Sequence, residues 1–221
     1  MQSRTRVEFP TAPHAAPWKT LAAQFITYPT RNSVQSNGTT AVRRAMVIVV
    51  GTSHTIQIAD PELKPFLESL CREFNVCAVT EEMNEEALAE KDCAASIPMQ
   101  VASALQMPHR FCDPNRAERT KLEIRQENEI RVLAWLANST LSESEIAARV
   151  TESYAKRERY WLEQLGSLNV WPVLFICGAD HVTSFCNLLK QQSIAAHVAA
   201  EDWASNNTVE RDVPQAARPS R

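Results

Sequence analysis

The chain reads as an α/β protein, a mostly parallel central sheet with helices packed on its faces in a single domain. Three observations predict this. Residues 45–50 (Ala-Met-Val-Ile-Val-Val) and 170–177 are continuous apolar runs of strand length, as strands buried on both faces require. Segments with helical spacing of apolar residues lie between and after them, and strands alternating with helices form parallel sheets through right-handed crossovers. At 221 residues the chain is long enough to bury one core.

The elements follow in order. After the first strand, Asp60-Pro61 reads as an N-cap and first-turn pair, and Leu63, Phe66, Leu67, Leu70 and Phe74 recur at helical spacing. Residues 75–80 form a second short strand. Residues 84–105 read as a helix that Pro98 must kink or divide. Residues 108–112 suit a third short strand. Residues 116–136 form a charged amphipathic helix ended by Asn138. Residues 142–165 form another, opened by a Ser142/Glu145 capping box and closed by Gly166. The second strong strand, 170–177, precedes a helix over 181–192 and a last strand over 194–199.

The α/β domain spans 45–203. Residues 1–44 carry four prolines and six basic residues against one acidic residue, with no sustained period. They read as a flexible leader or an over-extended start, with a transit segment as a third reading. Residues 204–221 read as a flexible tail. The net charge of −3 and pI of about 6.0 give no basic field for nucleic acid or anionic lipid. The arginines between 116 and 131 interleave with glutamates, which favours pairs on a wet helix face. No apolar run approaches the roughly 20 residues of a membrane span, and the N-terminus lacks the order of a secretory signal. The six cysteines form no CxxC pair and suit reduced thiols. A cytoplasmic protein without nucleic-acid or membrane partners follows, and homo-oligomers are allowed.

Glycine carries the functional signal. There are only four, and two open the same shape, Gly51-Thr-Ser-His54 and Gly178-Ala-Asp-His181, each at the end of one of the two strongest strands. In an open parallel sheet ligands bind beyond the carboxyl ends of the strands. Gly51 and Gly178 permit a sharp turn or close backbone approach there, and His54 and His181 then point into one crevice. The strand at 75–80 ends in Glu81-Glu82, so a carboxylate emerges at the same edge. Alternation leaves open which of the two faces inward. Two imidazoles and a carboxylate with an open position form a common catalytic metal set, and such a metal lowers the pKa of bound water.

These residues resemble the TraB/Tiki and erythromycin-esterase superfamily, and most closely its small uncharacterised bacterial members. The likeness lies in Gly51-Thr-Ser-His-Thr-Ile-Gln57, in Cys177-Gly-Ala-Asp-His-Val-Thr-Ser-Phe185, in the acidic residue after the second strand and in Lys156-Arg-Glu-Arg-Tyr-Trp161. It covers about 46–203. The resemblance implies metal-dependent hydrolysis with His54, His181 and Glu81 or Glu82 at the centre. It also places the helix bearing Arg157, Glu158 and Arg159 near the site, where an Arg can orient the carboxylate or bind an oxyanion.

The expectation is therefore a hydrolase of amide or ester bonds around a divalent metal (Mn, Co or Zn). His54, His181 and Glu81 are its ligands, and Glu81, Glu82 and Arg159 its catalytic groups. Glu158, His109, Asp113 and Asp180 are secondary candidates. Asp113 before Pro114 also reads as a helix cap. The alternatives are a non-catalytic protein that binds a small ligand or ion, and an interaction module using the 116–136 helix. The substrate is a small molecule or peptide. No GxSxG, P-loop, GxGxxG or HExxH motif occurs. Cys177, at the end of an apolar strand, reads as buried and inert.

Overall fold

The computed structural model describes residues 45–205, so the expectations for 1–44 and for the tail beyond 205 lie outside the described residues. The strands are Met46–Thr52 (β1), Ala78–Glu81 (β2), His109–Phe111 (β3), Val173–Gly178 (β4) and Ala195–Ala200 (β5). They form one sheet in the order β3-β2-β4-β1-β5, with every pairing parallel. The helices are His54–Ala59 (α1), Leu63–Glu73 (α2), Glu85–Ala89 (α3), Ile97–Ala104 (α4), Arg116–Leu122 (α5), Glu127–Leu136 (α6), Glu143–Leu168 (α7) and Val182–Gln191 (α8). A single 3₁₀ turn, Ala179–His181, leads into α8.

The apolar strands form the middle of the sheet because each must be covered twice. On one face Val47, Val49, Val173 and Phe175 pack under Trp161 and Leu165 of α7 and Val182, Phe185 and Leu189 of α8. On the other, Ile48, Val50, Leu174 and Ile176 pack under Leu63 and Leu67 of α2 and Ile97 and Val101 of α4. The alternation of residues across each strand feeds both layers. Adjacent strands β1 and β4 thus send their following helices to opposite faces, which makes a topological switch point where the carboxyl ends diverge.

Several element boundaries differ from those predicted. The 84–105 segment is two helices: Asn84 caps α3 by accepting from the Ala87 N–H, and Ser96 caps α4 by accepting from Met99. Pro98 lies in the first turn of α4, where its missing N–H costs nothing. The 116–136 helix breaks after Leu122 because Glu123 takes a left-handed conformation (φ 55°) and Ser153 of α7 bonds both the N–H and the carbonyl of Arg125. α7 runs through Gly166 to Leu168 and ends at the left-handed Asn169 instead. The helix after Pro61 starts at Leu63, and a separate short helix, α1, begins at His54 under the N-cap Ser53. β2 begins at Ala78 and includes Glu81.

The end of β1 meets a strap. The Trp203 N–H donates to the Gly51 carbonyl at 2.7 Å, the Thr52 hydroxyl donates to the Trp203 carbonyl, and Trp203 stacks on Phe66. A Cβ on Gly51 would stand 1.9 Å from the Glu201 carbonyl oxygen. Gly51 thus answers a close backbone approach rather than a turn requirement. Gly51→Ala must displace the strap and is expected to lower stability by about 2–3 kcal/mol, read from the urea midpoint; an unchanged midpoint would show that the strap is not held in this way.

Candidate functional site

Three neighbouring strands deliver the site. β1 ends at Thr52, and Ser53 caps α1 so that His54 opens it. β2 continues one residue past Glu81, the Glu82 N–H donating to the Ile176 carbonyl at 2.7 Å, which fixes where the Glu82 side chain leaves the sheet. β4 ends at Gly178, and the 3₁₀ turn brings up His181. Glu82, Gly178 and both histidines therefore meet on the α7/α8 side of the carboxyl edge.

Glu82 is the centre of this group. Its side chain is 2% exposed, and Oε1 faces Arg157 Nη1 at 2.8 Å, His54 Nε2 at 3.4 Å and His181 Nε2 at 3.9 Å. Oε2 accepts from the Gly178 N–H at 2.6 Å. A Cβ on Gly178 would come within 3.3 Å of that oxygen, so the glycine leaves room for the carboxylate. Burial alone would raise the Glu82 carboxyl. Arg157 first, and then the facing imidazoles, outweigh burial and bring it from its ordinary 4.5 down to about 2.

Further contacts hold these groups in place. Arg157 Nε donates to Asp113, and its guanidinium lies 5.3 Å from the centre of the Trp161 ring. Burial works against its charge, but Glu82 and Asp113 keep it protonated beyond the ordinary arginine range. Asp113 also accepts from Trp161 Nε1 and from Arg119. His181 Nδ1 lies 2.9 Å from Glu158, which also accepts from the Ser184 hydroxyl. Tyr154 of α7 packs its ring 4.2 Å from that of His181, and burial, followed by the Asp180 charge, raises its hydroxyl pKa. His54 is the open member of the group, with 43% of its side chain exposed.

The predicted residues divide. His54, His181, Glu82 and Glu158 come together, and Asp113 joins as the partner of Arg157. Glu81 does not. It is one residue earlier on the strand and so points to the opposite face, where Oε1 contacts Ser96 and, at 2.8 Å, His109 Nε2. Its other oxygen is buried without a hydrogen-bond partner. His109 belongs to that second cluster, so neither residue is a member of the site. Arg159 is exposed, because two residues along a helix turn the side chain by about 200° from Arg157. Asp180 is exposed in the 3₁₀ turn. Cys177 is fully buried and its thiol is pushed well up by burial, against a nucleophilic role. Tyr154, Arg119 and Ser184 were missed. Tyr154 carried a signal, since 154, 157/158, 161 and 165 mark one face of α7.

Two imidazole nitrogens around one carboxylate oxygen, with Glu158 behind His181, have the donor chemistry of a metal centre. The fit fails at Arg157. A permanent cation already lies 2.8 Å from the oxygen an ion would use, and among the described residues no group of three or more His, Cys, Asp or Glu is arranged to hold a metal. Comparisons of the chain with protein families, with characterised proteins and with solved structures find no match.

The Glu82 shift sets a pH dependence. Its carboxyl titrates lower in the folded chain than in the unfolded one, so its stabilisation is present above about 4.5 and is lost as pH falls toward about 2. Glu82→Gln should lower stability at neutral pH and flatten its fall through that window by up to about 1.4 kcal/mol per pH unit. Urea midpoints measured across the window check this, and parallel wild-type and variant curves would contradict it.

Proposed function

We propose that the protein hydrolyses an ester or amide, with water activated by His54. The observation that carries this is the convergence of the histidines of both motifs on one buried, ionised carboxylate, with one of the two open to solvent. An exposed imidazole backed by a fixed carboxylate is the base-and-orienter arrangement of acyl-transfer sites. His54 takes a proton from the attacking water, Glu82 stabilises the imidazolium that forms, and His54 returns the proton to the leaving group. Arg157 keeps Glu82 ionised in a place where burial would otherwise neutralise it. Tyr154, neutral at physiological pH and packed on His181, supplies an O–H donor for the negative charge that develops on the carbonyl oxygen. The resemblance of both motifs to the TraB/Tiki and erythromycin-esterase superfamily supports the same reaction class. No step of this reading passes through a metal.

Turnover of a panel of chromogenic esters and amides tests it. Wild-type protein should hydrolyse at least one member, and His54→Ala should lower kcat by about 10²–10⁴-fold while leaving the urea midpoint nearly unchanged, since His54 is half exposed. No turnover across the panel, or equal rates in wild type and variant, would argue for a binding role instead.

A further inference from the structure

We infer that the β5 edge of the sheet is a pairing surface whose occupant is the β5 of a second copy of this chain, joined antiparallel about a two-fold axis at His197. The inference rests on the backbone of the edge strand and uses no residue of the hydrolase proposal.

An edge strand leaves a row of N–H and carbonyl groups unpaired, and proteins that avoid association blunt such edges with short strands or charge. β3, at the other edge, is blunted in both ways. It has three residues, and its Arg110 donates to the Ser167 hydroxyl and the Gln164 carbonyl of α7. β5 has neither device. It has six residues, pairs only with β1 among the described residues, and is exposed over 195–198. No Asp, Glu, Lys or Arg occurs from Gln191 to Ala200. Val198, 39% exposed, is the one exposed large apolar residue of the sheet among the described residues.

The backbone fixes the register. The Ala195 N–H donates to the Ala45 carbonyl at 3.1 Å, on the β1 side. Strand alternation therefore turns the N–H and carbonyl of Ala196 and of Val198 to the open edge. Beyond Val198 the pairing slips, Val49 meeting Val198 and Val50 meeting Ala200, so the regular stretch ends there. An antiparallel partner must set outward-facing residues opposite outward-facing residues. A second β5 does this with Ala196 of each copy opposite Val198 of the other, which closes a double hydrogen bond per pair and sets His197 across from its own counterpart. Glu201 and Asp202 then fall beyond the paired stretch, toward Ser193 and Gln192 of the other copy, so no like charges meet. Val198 faces an alanine, and each His197 ring keeps its own Phe74, with ring centroids 4.6 Å apart. A strand of other sequence would have to match this absence of charge, and β5 matches it by identity. One strand pair is a small interface, so the dimer is reversible.

Sedimentation velocity of the full chain over a wide concentration range tests this. The wild type should show a concentration-dependent monomer–dimer equilibrium. Val198→Pro removes an N–H that β1 does not use, which proline permits on an edge strand. It should weaken dimerisation by about tenfold or more, since each copy loses a main-chain donor to the other. His197→Glu leaves every backbone bond in place and sets like charges across the axis, so it should weaken the dimer too; it serves if the proline variant does not fold. His197→Cys reads the register itself. Opposed residues of a non-hydrogen-bonded pair stand about 4.5 Å apart at Cα, within disulfide reach. The oxidised His197→Cys variant should therefore run as a covalent dimer, and Ala195→Cys, which faces Ala199 of the other copy, should not. A wild type that stays monomeric at every concentration would overturn the inference. So would a dimer that neither substitution weakens and that His197→Cys does not lock, since that dimer would use another face.

Discussion

The site depends on keeping one carboxylate charged where water cannot reach it. Removing Glu82 from water costs several kcal/mol unless charge and hydrogen bonds replace the solvent. Each replacement imposes a further constraint. The Gly178 N–H must point at Oε2, which sets a Cβ at that residue in tight contact with the carboxylate. Arg157 must reach Oε1, so α7 must cross the sheet at that height, and Asp113 must hold the other edge of the guanidinium. Asp113 follows β3 by two residues, so the third strand is tied to the centre as well. The ends of β2, β3 and β4 and the middle of α7 are joined through this one ion-pair chain, which leaves His54 as the solvent-exposed member of the group.

Much of this was legible in the sequence. The two apolar runs became adjacent parallel strands in the body of the sheet, and the histidine of each Gly-x-x-His motif arrived beside the same Glu82 oxygen because those strands are neighbours. The glycine–histidine spacing was informative because it is set by short local geometry, a strand end followed by one turn. The helix boundaries were less legible. Pro98 fits a first turn as well as a kink, and only the Ser96 cap decides between them. The break at Glu123 depends on Ser153, some thirty residues away, which no local pattern contains.

Glu81 and Arg159 lie outside this group for one shared reason. Glu81 and Glu82, like Arg157 and Arg159, are close in sequence and alike in chemistry, but strand alternation and helical rotation send them in different directions. Choosing between them requires knowing which face of β2 meets α7, and that is tertiary information. Glu81 consequently belongs to a separate polar cluster with Ser96 and His109 under α4. The sheet thus carries back-to-back carboxylates, each with its own histidine chemistry, on opposite faces.

The most direct test of the account is therefore whether the two carboxylates address different histidines. Imidazole nitrogen and proton shifts of His54, His109 and His181, followed by NMR in Glu82→Gln and Glu81→Gln, measure this. The account predicts that Glu82→Gln moves His54 and His181 together and leaves His109 in place, and that Glu81→Gln moves His109 alone. Movement of His54 and His181 in Glu81→Gln, with no response in Glu82→Gln, would contradict it.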